Sequence, residues 1–101
     1  MMSEVVDQCV QAVMGSVRWL DYNKPGWASK IDLATFDFLY HPLCVAGQLS
    51  LTRAETKLSQ GFDSPLPHDH VDAKFSYTFM DSLWRIFIQK RIDHVIPEEK
   101  P

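Results

Sequence analysis

Residues 3–20 read SEVVDQCVQAVMGSVRWL, and their spacing decides the fold class. Val5, Val6, Cys9, Val10, Val13, Met14, Val17 and Leu20 recur in steps of three and four. A half-buried strand would alternate every second residue, whereas this stripe follows a period near 3.6. The stretch therefore predicts a helix with one apolar face. Ser3 is placed to cap it, and Glu4 and Asp7 suit the positive end of its dipole. The following YNKPG stops it, because Asn, Pro and Gly favour turn geometry.

Working outward, the other end of the chain repeats the theme. A last helix is predicted from Ser76 or Thr78 through FMDSLWRIFIQKRIDHV. Its apolar positions, from Phe79 to Ile92, cover more than one face. Such a helix is central to the fold or shares one side with a second chain. The wide arc is the reason to expect a homodimer.

The middle is punctuated. Pro25 suits the first position of a short helix through PGWASKI. IDLATFDF reads as a loop with short extended or 3₁₀ pieces, and Pro42 sets the entry to a short buried helix in LCVAGQLSL. Thr52-Arg53-Ala54-Glu55 matches a capping box. That helix is expected to run to about Gln60, with Gly61 as a left-handed terminator and Phe62 folded back on Leu58. DSPLPHDHVDAK, dense in Pro, acids and His, is a loop. The expectation is a mainly α protein, a compact orthogonal helical array. Two long terminal helices enclose short helices and irregular loops. Residues 1–96 form one domain, and 97–101 are a frayed tail.

Composition narrows the function classes. The chain has 101 residues, 46% hydrophobic and 23% charged, with a formal net charge of −3. These are globular values for a single domain. A basic footprint is absent, so nucleic acid is not the expected partner. Cys9 and Cys44 sit in apolar surroundings and read as buried free thiols in a reducing compartment. MMSEVVDQ lacks a basic leader region, and no apolar run reaches the length of a membrane span. A cytoplasmic protein without membrane contact is expected.

Several residue types call for chemical readings. His41-x-x-Cys44 with His68-x-His70 has the donors of a tetrahedral zinc site, without paired CxxC or HExxH spacing. Cys44 or Cys9 as a nucleophile needs a base and an oxyanion site, and apolar packing argues for inert thiols. Asp32 and Asp37 are readable as an acid/base pair or as turn residues that satisfy backbone N–H groups. Gln48 in an apolar run must find partners and is expected to fasten the IDL loop. Gly47 suits close helix approach. Trp27, after a Pro-Gly turn, is a surface anchor or a lid on the core. Arg85, Lys90, Arg91 and His94 form a basic strip interrupted by Asp81 and Asp93. The candidate partner-binding set is Trp27, Asp32, Arg85 and Arg91. Asp37, Gly47 and Gln48 are structural, and no cofactor or catalytic residue is assigned.

The order of these pieces resembles a family of small uncharacterised proteins of tailed phages and prophages, of actinobacterial type. The matching pieces are Pro25-Gly26-Trp27, Ile31-Asp32-Leu33, Phe36-Asp37, Cys44-Val45-Ala46-Gly47-Gln48-Leu49, Gly61-Phe62, and Leu83-Trp84 with Arg91. Ala46 departs from the usual Leu, and SLTRAETK replaces a Gly/Tyr-rich turn. The resemblance implies a phage or prophage origin and an intracellular protein, with no activity attached. Small size, acidity, aromatics beyond what a core needs and the absence of catalytic motifs give the expectation of a non-enzymatic module that binds and inhibits or redirects a host protein, such as an anti-CRISPR. Alternatives are a protein that sequesters a small ligand or signalling nucleotide at a dimer interface, and a zinc-stabilised domain.

Overall fold

The structure is a computed structural model that describes residues 2–63, 66 and 69–95. Two long helices, α1 (Met2–Asn23) and α4 (Ala73–Val95), bracket two single turns, α2 (Val45–Gln48) and α3 (Arg53–Thr56). Three 3₁₀ turns, Trp27–Lys30, His41–Leu43 and Gln60–Phe62, complete the set. Among the described residues there is no strand. The mainly α array with long terminal helices is thus what the chain forms.

The long helices lie side by side and run in the same direction. Asp21 near the end of α1 meets Arg91 near the end of α4. At the other end, Glu4, Val5 and Gln8 share a depression with His70, Val71 and Asp72, just before α4 begins. The Gln60–Phe62 turn packs on Ala12 and Ser16 of α1, and residues 33–38 hydrogen-bond to Asp81 and Arg85 of α4.

Several boundaries differ from expectation for local reasons. α1 continues to Asn23, whose Nδ2 donates to the Trp19 carbonyl, and Lys24 N–H still reaches Leu20 O. The next turn starts at Trp27, not at Pro25. Gly26 precedes it in the left-handed region (φ 79°), which glycine enters without a Cβ penalty. The capping box forms as read: Glu55 N–H donates to Thr52 Oγ1, and Thr52 N–H to Glu55 Oε1. Its helix nevertheless ends at Thr56. Gly61 is not a left-handed terminator, and Phe62 does not fold onto Leu58, which is exposed. α4 starts at Ala73, a turn earlier than read.

The core is aromatic at its centre. Trp84 is fully buried, with Trp27 edge-on to it at 5.9 Å and Phe62 stacked on it at 5.8 Å. Both arrangements suit the ring quadrupole. Trp84 Nε1 donates to Gly61 O at 2.9 Å. Buried Ser16 accepts from Gly61 N–H at 2.7 Å and shares a hydrogen bond with Ser59 Oγ. Among the described residues, no buried side-chain N or O atom lacks a partner.

Candidate interaction face

The connection from Asp32 to Cys44 has little regular structure, so its backbone needs other partners. Asp32 Oδ1 accepts from Ala34 N–H, and Asp37 Oδ1 accepts from Leu39 N–H, both at 3.0 Å. These are two Asx turns, the local bonding that short acids offer the chain. Gln48 then clasps the first turn. Its Oε1 accepts from Asp32 N–H at 2.6 Å, and its Nε2 donates to Asp32 O and to Leu43 O. The amide thus ties Asp32 to the far end of the same connection, as expected from its place in an apolar run.

A charged clamp on α4 holds the second turn. Asp81 Oδ1 accepts from Phe38 N–H at 3.0 Å, while Oδ2 pairs with Arg85 Nε at 2.7 Å. The Arg85 guanidinium donates to Phe36 O at 2.6 Å and Leu33 O at 3.4 Å, and lies 5.1 Å from the Phe36 ring centre. The planar fork of arginine suits this divided task, which a lysine ammonium cannot repeat.

What the clamp presents is Leu39 and Tyr40. They are 63% and 56% exposed, next to each other on a turn closed by Tyr40 N–H to Asp37 O and Leu43 N–H to Tyr40 O. Beside them runs a groove of about 620 Å³, floored by Phe38, Cys44 and Ala46 and edged by Arg53 and Lys57. Two exposed side chains on a pinned backbone make a preorganised contact, because little ordering is left to do on binding.

The candidate residues fall into clear places. Trp27 is not a surface anchor: it is 2% exposed, and its Nε1 donates to Asp21 Oδ1 at 2.9 Å. Its ring is the lid on Trp84. Arg91 is likewise engaged, with Nε and Nη2 forked onto the Asp21 carboxylate, the shortest contact being 2.7 Å. The Arg91 hydrogen bonds hold the Asp21 carboxyl below the usual aspartate range, helped by Trp27 and opposed in part by burial. The same pairing raises Arg91. Arg85 serves the loop, so two cations of the basic strip are held by internal partners, while Lys90 is exposed and the side chain of His94 lies outside the described residues. Asp32 is exposed but committed to its own turn. Gly47 lies within α2, where its carbonyl accepts from Ser50 N–H.

The metal set does not assemble among the described residues. Cys44 is buried at the groove floor, whereas exposed His70 accepts from Asp72 N–H through Nδ1, beside the start of α1. The side chain of His41 and all of His68 lie outside the described residues. Among those described, no three His, Cys, Asp or Glu side chains gather as ligands. Cys9 is fully buried, and burial pushes its thiol up, away from a reactive thiolate. No helix among the described residues is long and apolar enough to cross a membrane.

Asp21, Asp81 and Ser16 carry much of this geometry, and sequence reading assigned them no part in it. Asp81 and Arg85 had a usable signal, since residues four apart share a helix face. The partners of Asp21 and Ser16 lie far along the chain, where no local spacing points. The chain matches no protein-family model, no curated protein and no solved structure.

Proposed function

We propose that this chain is a non-enzymatic interaction module of phage or prophage origin, working in the cytoplasm of a bacterial host cell. It binds a host protein and inhibits or redirects it, in the manner of a counter-defence protein such as an anti-CRISPR. The observation that carries the reading is the Leu39-Tyr40 pair, held outward by the Asp81–Arg85 clamp. Exposed apolar anchors on a rigid turn are what a partner's pocket takes up. The wide apolar arc of α4 supports a homodimer as the working form.

The test is capture from host lysate with wild type and with Leu39→Asp and Tyr40→Asp. A specific partner retained by wild type and lost at least tenfold by both variants, with unchanged circular dichroism, is the expected result. Equal retention by all three proteins rejects this face, and absence of any specific partner rejects the reading.

A second reading has one observation in its favour. The groove beside Leu39 carries Arg53 and Lys57 at its edge, cations suited to a small anion such as a signalling nucleotide. Sequestration predicts a thermal shift with such nucleotides that Arg53→Ala with Lys57→Ala removes. No shift across a broad nucleotide panel rejects it.

A further inference from the structure

The groove beside Leu39 joins an apolar floor to a cationic edge. Phe38, Cys44 and Ala46 are buried on its floor, and half-buried Phe62 stands in its wall. These side chains are held from behind. Asp81 fixes the Phe38 backbone, and the Phe62 ring is stacked on Trp84. The Thr56 hydroxyl, also in the lining, donates to Arg53 O and is spent within α3. The floor therefore offers apolar surface and little that would hydrogen-bond a sugar or a base edge.

Lys24, Arg85 and Arg91 each pair with a carboxylate, whereas Arg53 and Lys57 are exposed and form no ion pair among the described residues. They are four residues apart, and the helical backbone continues through Lys57. Both therefore stand on one face, roughly 6 Å apart along the axis. Glu55, between them in sequence, is taken by Lys24 and the Thr52 backbone. Asp63 also lines the groove and has a partner of its own. Carboxylates two residues apart in an extended segment span roughly 7 Å, a reach that matches the two cations. The chain as a whole carries a net charge of −3, so repulsion elsewhere on the surface helps to hold an acidic segment in register at this edge.

We propose that this groove takes an extended acidic segment of the host protein, with one bulky apolar side chain on the floor of Phe38, Cys44 and Ala46 and two carboxylates on Arg53 and Lys57. Leu39 lines the groove as well as standing outward, so the segment continues directly from the Leu39-Tyr40 contact. The inference rests on the host-protein reading of the function and deepens it by naming the chemistry of the partner. A small anion engages the two cations but leaves the apolar floor unfilled, which is why a peptide segment is favoured over a nucleotide.

The probe is a display library of random peptides about twelve residues long, selected on the immobilised full chain. The expected result is enrichment of sequences with two or more acids around a bulky apolar residue. The strongest of them, synthesised with blocked ends, binds wild type at least tenfold more tightly than it binds Arg53→Glu or Lys57→Glu, and its binding weakens as salt rises. The doubly reversed Arg53→Glu/Lys57→Glu protein instead prefers the same peptide with its acids replaced by lysine. Both side chains are exposed, so the circular dichroism of these variants stays that of wild type. Arg53→Gln/Lys57→Gln, which introduces no new charge, is the second variant and also loses at least tenfold. No enrichment, enrichment without acids, or acidic peptides indifferent to these changes overturns the proposal. So does a thermal shift with a signalling nucleotide when no acidic peptide is selected. A lysate partner lost by Leu39→Asp yet kept by Arg53→Gln/Lys57→Gln overturns the groove chemistry and leaves the host-protein reading standing. Acidic peptides selected in the absence of any lysate partner support the groove chemistry and reject that reading.

Discussion

Gly61 lies against the backbone of Ala12 so closely that a Cβ at Gly61 would stand 2.3 Å from the Ala12 carbonyl oxygen and 2.8 Å from its carbonyl carbon. Helix α1 cannot yield locally, because that carbonyl belongs to its hydrogen-bonded ladder. Gly61 also donates to Ser16 and accepts from Trp84, so it joins both long helices. Gly61→Ala is expected to destabilise the fold by about 3 kcal/mol, measured by urea unfolding. A loss below about 1 kcal/mol would mean that the close approach is not required.

Gln48 makes three hydrogen bonds to backbone groups of Asp32 and Leu43. Water replaces the exposed ones, so the cost of Gln48→Ala is modest, about 1–2 kcal/mol. The diagnostic readout is local. Amide exchange at Asp32 should quicken at least tenfold, while the core of α4 changes only by the global loss of stability. Equal acceleration at both places would refute the clasp.

Acid should weaken the fold through two carboxylates. Arg91 holds the Asp21 carboxyl low, and the Thr52 backbone with Lys24 does the same for Glu55. A carboxyl lowered in the folded state contributes stability that is present above its unfolded value and is lost as pH falls through the folded one. The urea midpoint should therefore fall from about pH 5 to pH 2. Asp21→Asn keeps an acceptor for Trp27 Nε1 and removes the ion pair, so its midpoint should fall less over that range. Glu55 leaves a residual slope. Identical slopes in the two proteins would show that the Asp21–Arg91 pair is not formed.

Ser50 sits at φ 56°, the one non-glycine residue with positive φ among those described. It follows α2, where Leu51 N–H reaches back to Ala46 O and Ser50 N–H to Gly47 O. That left-handed stop is where glycine is usual. Ser50→Gly should raise stability by about 0.5–1 kcal/mol, the relief of the Cβ strain less the added freedom of the unfolded chain. A lower melting temperature in the variant would contradict this.

Much of the fold was legible because it is local. The stripe from Val5 to Leu20, the box at Thr52 and Glu55, and the Asx turns at Asp32 and Asp37 each depend on residues within a turn or two of each other. Helix ends were less legible. Gly61 shows why, since a glycine after a helical stretch reads as a terminator, yet this one is required by a backbone from another part of the chain. Trp27 and Arg91 misled in the same way. An aromatic after Pro-Gly and a cation on a helix look free in sequence, and both are consumed by Asp21.

The sequence by itself determined a mainly helical chain with long ends, a punctuated middle, and short acids and a glutamine that satisfy irregular backbone. Periodicity, capping and turn chemistry act over a few residues, and a linear reading contains them. Only the tertiary structure decided that Asp81 and Arg85 brace the loop, that Gly61 seats it on α1, and that Leu39 and Tyr40 stand outward. Those outcomes depend on which distant surfaces compete successfully for each donor, acceptor and apolar side chain, and that competition is resolved only when the whole chain has packed.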